Sequence, residues 1–265
     1  MKNKTKAWIN LVLLLLTLVV NFLGGTGRIN NASQEEVSNM YHTLTTPAGF
    51  TFSIWGIIYG LLFISLIVML IKEKDSYFKA AIDRITPLLW IAFVTNMIWI
   101  VTFSYLKIGL STIFIFIYLL SLIILVQRLR HLNDRKYWLL PLTFGLNAGW
   151  LFIATVVNIA AYLVQIEWDG FGIAEDTWAL IIMIVALLLA TFVQFQIKNA
   201  VFSLPIAWAF FGIYQELQIT GAYPTLEIMA LVNLGIFILL ALYSFIHNRY
   251  SIYPLRQGFR AYNHF

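Results

Sequence analysis

The chain has 265 residues, of which 61% are hydrophobic and 11% are charged, and its formal net charge is +5. A soluble domain carries about 25% charged residues, so this composition excludes a core covered by a wetted surface and indicates a membrane protein. The chain has no cysteine, which excludes disulfides, thiolate nucleophiles and cysteine-bound metals.

Eight segments are long and apolar enough to cross a bilayer, which takes roughly 20 residues per helix. They cover about residues 8–26, 50–72, 86–106, 109–128, 138–165, 178–196, 199–216 and 226–246. Their apolar runs are continuous rather than alternating, which is typical of spanning helices. The sequence therefore predicts an all-α polytopic membrane helix bundle with about eight transmembrane helices.

Lysine and arginine are distributed unequally between the predicted loops. Of the 17 basic residues, only Arg28 and Lys107 fall on the side that holds the two longest connections, 27–49 and 166–177. Because short basic loops stay in the cytoplasm, we expect an integral protein of the cell membrane with both termini cytoplasmic. This topology explains the net positive charge, and no nucleic-acid partner is expected. The first span is expected to stay uncleaved, since "GGTGR" is a poor signal-peptidase site.

The centres of the predicted spans contain no Asp, Glu, Lys, Arg or His. Such groups usually mark ion or proton pathways in membranes, so the sequence argues against a proton-coupled transporter. It also argues against an acid–base hydrolase within the membrane, because no Asp, His and Ser set converges there.

The spans contain tryptophan, tyrosine and asparagine instead. Asn96 stands one turn before Trp99, and Asn158 stands two turns after Trp150, so each pair shares a helix face. We expect these faces to meet between the membrane midplane and the outer surface, beneath the first long loop. Two interpretations stay open: helix packing through asparagine hydrogen bonds, and the wall of a ligand pocket.

At these residues the chain resembles the TspO/MBR family, the tryptophan-rich sensory proteins related to the mitochondrial translocator protein. The family has a proline-rich approach and Trp-x-x-x-Tyr in its second helix, Asn-x-x-Trp with a later Phe in its third, and Trp, Ala and Asn at four-residue intervals in its fifth. The matching residues are Pro47, Trp55 and Tyr59, then Asn96, Trp99 and Phe103, and then Trp150, Ala154 and Asn158.

Residue positions and the number of helices both separate this chain from the family pattern. Phe52 stands three residues before Trp55 rather than four, and Leu146 stands where the fifth helix has a proline. The family core also has five helices, whereas this chain adds three. The resemblance implies a TspO-like core over 1–165, three additional spans over 166–248, and a basic aromatic cytoplasmic tail over 249–265.

The resemblance implies a cavity that opens toward the first loop and takes flat hydrophobic ligands, such as a porphyrin or another tetrapyrrole, or a sterol-like molecule. The expected lining residues are Trp55, Tyr59, Asn96, Trp99, Trp150 and Asn158, with Phe52 and Phe103 as further contacts. No metal ligands or catalytic residues are expected. The leading hypothesis is a non-catalytic ligand-binding or sensory protein.

Two alternative functions stay open at this point. One is a uniporter or exporter of a small hydrophobic solute, and the other is photo-oxidative degradation of a bound porphyrin, in which the cofactor would supply the chemistry. The expected partners are the hydrophobic ligand and the lipid bilayer, with a homodimer left open.

Overall fold

The computed structural model describes residues 1–132 and 135–254, and within them the chain is helical and contains no strand. Eight long helices and the short α2 follow one another along the chain. They are α1 Asn3–Gly25, α2 Gln34–Met40, α3 Ile54–Ile71, α4 Ser76–Ser104, α5 Ile108–Arg130, α6 Leu139–Gln165, α7 Glu175–Ile197, α8 Ser203–Thr220 and α9 Pro224–His247. Single 3₁₀ turns cover Gly49–Ser53 and Gly170–Gly172.

Seven of the helices in the described ranges are long and apolar enough to cross a membrane. The exception among the long helices is α8, which has 18 residues but carries Gln215, Glu216 and Gln218 near its end. It nevertheless packs against α6 and α9, side by side with the spanning helices. The predicted polytopic all-α membrane bundle is confirmed. Seven of its helices are long and apolar enough to cross a membrane, and an eighth packs among them.

α4 begins at Ser76, about ten residues before the predicted start of the third span. Its first turns carry Asp83 and Arg84. These charged residues interrupt the apolar run, so hydropathy alone does not predict that the helix begins at Ser76. The Asp75 side chain caps the helix by accepting two backbone N–H groups of the first turn. Pro87 lies inside α4 without ending it.

The connections after α1, α4, α6 and α8 meet on one side of the bundle, which we call the loop face. There the Asn30 side chain donates to the Ser104 carbonyl at 3.0 Å. The Gln165 side chain likewise donates to the Leu106 carbonyl at 2.7 Å. These contacts tie the long first loop and the ends of α4 and α6 to one another.

The connections after α3, α5 and α7, together with the residues after α9, form the opposite side, which we call the basic face. Arg130 donates to the carbonyl of Gln196 in the last turn of α7 at 2.6 Å, a favourable place for a cation. The segment after α9 turns back into the bundle, where the buried Tyr253 hydroxyl donates to the Val126 carbonyl at 2.8 Å. Of the predicted tail, residues 255–265 lie outside the described residues.

α6 and α8 approach each other closely at small residues of α6. Gly145 and Gly149 form a Gly-x-x-x-Gly pattern, which permits close contact between helices. A Cβ atom at Gly149 would lie 2.0 Å from the backbone oxygen of Phe202. This contact places α8 directly against α6.

α8 in turn holds the segment that leads into α3. The Trp208 indole N–H donates to the Thr51 carbonyl at 3.1 Å, and the Ala48 amide donates to the Gly212 carbonyl at 3.2 Å. A Cβ atom at Gly212 would lie 2.1 Å from Thr51 Cγ2. α8 therefore fixes the backbone segment that leads to Trp55.

Candidate ligand-binding site

Aromatic rings from α3, α4 and α6 form one cluster with Trp55 at its centre. Trp55 stacks on Tyr59 with ring centroids 5.2 Å apart and an interplanar angle of 14°. Its centroid also lies 5.9 Å from that of Trp99 and 6.0 Å from that of Trp150, the latter at 90°. The Trp55–Tyr59 and Trp55–Trp150 pairs have the stacked and edge-to-face arrangements that aromatic pairs prefer, and the Trp55–Trp99 pair is tilted at 39°.

A small cavity opens against this cluster, beneath α2. Its free volume is about 50 Å³, which is space for a few water molecules rather than for a planar ligand. The lining residues are Gln34, Ser38, Pro47, Phe52, Trp55, Trp99, Phe103, Trp150, Ile153, Ala154, Val157, Asn158 and Ala161. Six of the eight side chains predicted as lining residues are among them, whereas Tyr59 and Asn96 are not.

A second, more open groove of about 350 Å³ runs along α1 and α3. Tyr59 lines this groove, together with Asn21 of α1. Phe52, Trp55 and Gln34 line both the groove and the small cavity. The two spaces are therefore neighbours across a wall that the Phe52 and Trp55 side chains help to form.

Asn158 is a polar side chain that lines the cavity, and it is 4% exposed. Its carbonyl oxygen accepts the Trp99 indole N–H at 3.0 Å. Its amide nitrogen donates to Ser111 Oγ at 3.1 Å and to Thr112 Oγ1 at 2.7 Å. The asparagine thus joins α4, α5 and α6 and fixes the orientation of the Trp99 ring.

Asn96, fully buried, belongs to a closed triangle of hydrogen bonds with Asn21 of α1 and Tyr59 of α3. Asn21 donates to Asn96 Oδ1 at 2.7 Å, and Asn96 donates to the Tyr59 hydroxyl at 3.1 Å. The Tyr59 hydroxyl donates to Asn21 Oδ1 at 2.7 Å. Asn96 therefore does not line the cavity, but it anchors the ring on which Trp55 stacks.

We expect Tyr59→Phe to lower the free energy of unfolding by about 1–2 kcal/mol, because both asparagines lose a partner inside the bundle. Denaturation with sodium dodecyl sulfate in mixed micelles, followed by circular dichroism, measures the change. Tyr243→Phe is the matched control, since that ring is 53% exposed and its hydroxyl has no described hydrogen bond. Equal stability of the two variants would contradict the role of the triangle.

A family model described as TSPO-like protein matches residues 7–243 of the chain. The chain belongs to the TSPO-like protein family. The match continues through α7 and α8 and into α9, so it includes the helices beyond the five-helix core. No curated protein and no solved structure matches the chain. The division of this TSPO-like protein at residues 165 and 248 stays a prediction.

Trp150, one of the residues that line the cavity of this TSPO-like protein, has an unused hydrogen-bond donor. The side chain is 2% exposed, and its indole N–H has no hydrogen-bond partner within the described residues. A buried indole N–H usually finds a partner, and leaving one unsatisfied costs about 1–3 kcal/mol. A group that enters the cavity with an acceptor oxygen or nitrogen could recover this energy.

The cover of the cavity is α2, which supplies Gln34 and Ser38 to its lining. A capping box starts this helix: Ser33 Oγ accepts the Glu36 amide at 3.1 Å, and Glu36 accepts the Ser33 amide at 2.6 Å. The bond from the Ser33 amide, followed by that with its side chain, lowers the pKa of the Glu36 carboxyl below its ordinary value. The Glu36 half of the capping box is therefore intact at neutral pH and weakens as the pH falls through that lowered pKa, whereas the bond from the Glu36 amide to Ser33 Oγ does not titrate.

Several residues of the site were not anticipated from the sequence. Asn21 is an asparagine inside the apolar span of α1, a signal that would have pointed to a buried partner. Gln34 and Ser38 carry no such signal, because a polar loop gives no indication of which residues fold back over the bundle. Ala161 likewise gives no signal in the sequence, since small apolar residues are common in spanning helices.

Proposed function

We propose that this TSPO-like protein binds a flat, hydrophobic small molecule between α3, α4 and α6, as a non-catalytic sensory-type protein. The observation that carries the proposal is the convergence of Trp55, Trp99 and Trp150 around a cavity with one unpaired indole N–H. Ligand pockets commonly combine broad apolar and aromatic walls with a few orienting polar groups. A tetrapyrrole or a sterol-like molecule has the broad apolar faces that such aromatic walls accept.

Ligand binding requires the cavity to widen. Ligand pockets usually measure about 300–1,000 Å³, whereas the closed cavity holds about 50 Å³. The adjoining groove supplies about 350 Å³ on the other side of Phe52 and Trp55. Displacement of these two side chains joins the spaces, so the ligand occupies the position of the wall and reaches Trp150 behind it.

The proposal includes an orientation in the cell membrane. Lys6, Arg84, Arg128 and Arg130 all lie toward the basic face, and the positive-inside rule assigns such a face to the cytoplasm. Both termini are then cytoplasmic, and the cavity with its α2 cover faces the outer side. The ligand is therefore taken from the outer leaflet or from the outer solution.

Binding is better supported than transport of a small hydrophobic solute. Deeper in the bundle, Tyr118 and Asn147 are both buried, and the Asn147 side chain donates to the Tyr118 hydroxyl at 3.2 Å. The Asn21–Tyr59–Asn96 triangle is likewise closed by its own hydrogen bonds. A solute that continued toward the basic face would have to break these bonds.

The test is a titration of purified protein with protoporphyrin IX, followed by quenching of tryptophan fluorescence. Trp150→Phe keeps an aromatic ring but removes the unpaired N–H, and we expect the dissociation constant to rise about fivefold to tenfold. Trp138→Phe is the matched control, because Trp138 is 57% exposed and lies on the basic face.

An unchanged porphyrin absorption spectrum under illumination supports binding without degradation. Equal affinity of both variants and the wild type would contradict the assignment of the donor.

A further inference from the structure

A larger cavity, separate from the aromatic one, lies on the loop face between α6 and α7. Its volume is about 550 Å³, within the range of small-molecule sites. Its walls come from the end of α6, the connection to α7, the start of α7, and residues 42–45 of the first loop. It shares no lining residue with the aromatic cavity. We call it the α6–α7 cavity.

The charged side chains that line the α6–α7 cavity are predominantly acidic. Glu167, Asp169 and Glu175 belong to the lining, which includes no lysine or arginine. Asp169 accepts a backbone N–H of its own turn at 3.0 Å. The Glu167 and Glu175 carboxylates have no hydrogen bond or ion pair to any described residue. His42 at the rim faces Glu216 at 3.4 Å, so its own charge is offset when it is protonated.

Two indole rings form one wall of this cavity. The ring centroids of Trp168 and Trp178 lie 4.9 Å apart at an angle of 57°. The Trp178 indole N–H donates to the Gly170 carbonyl at 2.7 Å, which holds the connection against α7. The Trp178 donor is therefore already used, so Trp178 contributes its ring surface to the cavity rather than its N–H group.

The floor of the cavity is apolar. It consists of small and aliphatic side chains on the facing sides of α6 and α7. These are Ala160, Leu163, Val164, Ala179 and Ile182. The α6–α7 cavity thus combines a negative rim, an aromatic wall and an apolar floor.

We propose that the α6–α7 cavity binds an organic cation with an apolar body, with its charge near Glu167 and Glu175 and against the tryptophan rings. Carboxylates attract the charge directly, and indole faces attract cations most strongly among aromatic rings. An apolar body on the floor removes hydrocarbon surface from water. Anionic ligands are repelled by the same rim. The charge complementarity fits a soluble organic cation and the ammonium headgroup of a lipid equally.

The test is isothermal titration calorimetry of the full chain in detergent with tetraphenylphosphonium. Triphenylphosphine oxide is the neutral comparison ligand. For Glu167→Gln combined with Glu175→Gln, we expect tetraphenylphosphonium affinity to fall about tenfold, with triphenylphosphine oxide affinity unchanged. Asp176→Asn is the matched control. The substitution removes one charge from the same turn of α7, and Asp176 does not line the cavity.

Three results would overturn the proposal: no binding of tetraphenylphosphonium to the wild type, equal affinity in the double variant, or an equal loss for the neutral ligand. Trp168→Leu separates the aromatic contribution, and a further severalfold loss of the cation supports it. Addition of dihexanoylphosphatidylcholine distinguishes the two sources of the cation. Competition indicates a lipid headgroup, and binding that is unaffected indicates a soluble cation. Either result supports a site for an organic cation.

Discussion

Trp55→Ala is expected to raise the dissociation constant for protoporphyrin IX about a hundredfold. In the bound state we expect the displaced Trp55 ring to stack on the porphyrin. The substitution removes that aromatic contact, about 0.5–1.5 kcal/mol, and the apolar burial of the ring, about 1.5–3 kcal/mol. Quenching of the remaining tryptophans, measured as a function of porphyrin concentration, gives the constant. Its value rather than the quenching amplitude is the readout, because the variant lacks one fluorophore.

Trp8→Ala is the matched control for this experiment. Trp8 is 51% exposed on α1 and lies away from the cavity, so its loss also removes one fluorophore but should leave the affinity unchanged. Circular dichroism and size-exclusion chromatography establish that both variants are folded. A folded Trp55→Ala protein with wild-type affinity would exclude Trp55 from the binding site.

Gly149→Ala is expected to destabilise the bundle by about 3 kcal/mol. The added Cβ would lie 2.0 Å from the Phe202 carbonyl oxygen and 3.2 Å from Pro205 Cδ, so α8 has to move as a whole. Overpacking of this kind costs about 1–3 kcal/mol, and backbone cannot yield as a flexible side chain does. Denaturation in mixed micelles measures the loss.

Gly60→Ala provides the opposite expectation at a comparable helical position. A Cβ atom there has no neighbour within 4 Å, and alanine is favoured over glycine in helices by about 0.5–1 kcal/mol. The variant should therefore be at least as stable as the wild type. If Gly149→Ala were as stable as the wild type, that result would contradict the close contact between α6 and α8.

The helices could be predicted because lipid demands continuous apolar runs with their backbone bonds satisfied internally. The first and last residues of the helices were less predictable. In α4, Asp83 and Arg84 lie on helical turns that hydropathy alone assigns to a loop. α8 was predicted as a span. Gln215, Glu216 and Gln218 make its end too polar for it to count among the helices that are apolar enough to cross a membrane.

The site could be predicted only in part. Spacing on one helix places Trp150, Ala154 and Asn158 on one face, and all three line the cavity. Spacing gives no information on the partner helix, and Asn96 faces Asn21 and Tyr59 instead. The contribution of α2 and the support from α8 depend on contacts between residues distant in the chain, for which no local pattern exists.

The most direct test of the proposed binding site is a structure of the protein bound to protoporphyrin IX. The account predicts density for the porphyrin between α3, α4 and α6, with the Phe52 and Trp55 side chains displaced and an acceptor atom of the ligand within hydrogen-bonding distance of Trp150 Nε1. Density for the porphyrin elsewhere on the protein, with the cluster around Trp55 still closed, would contradict it.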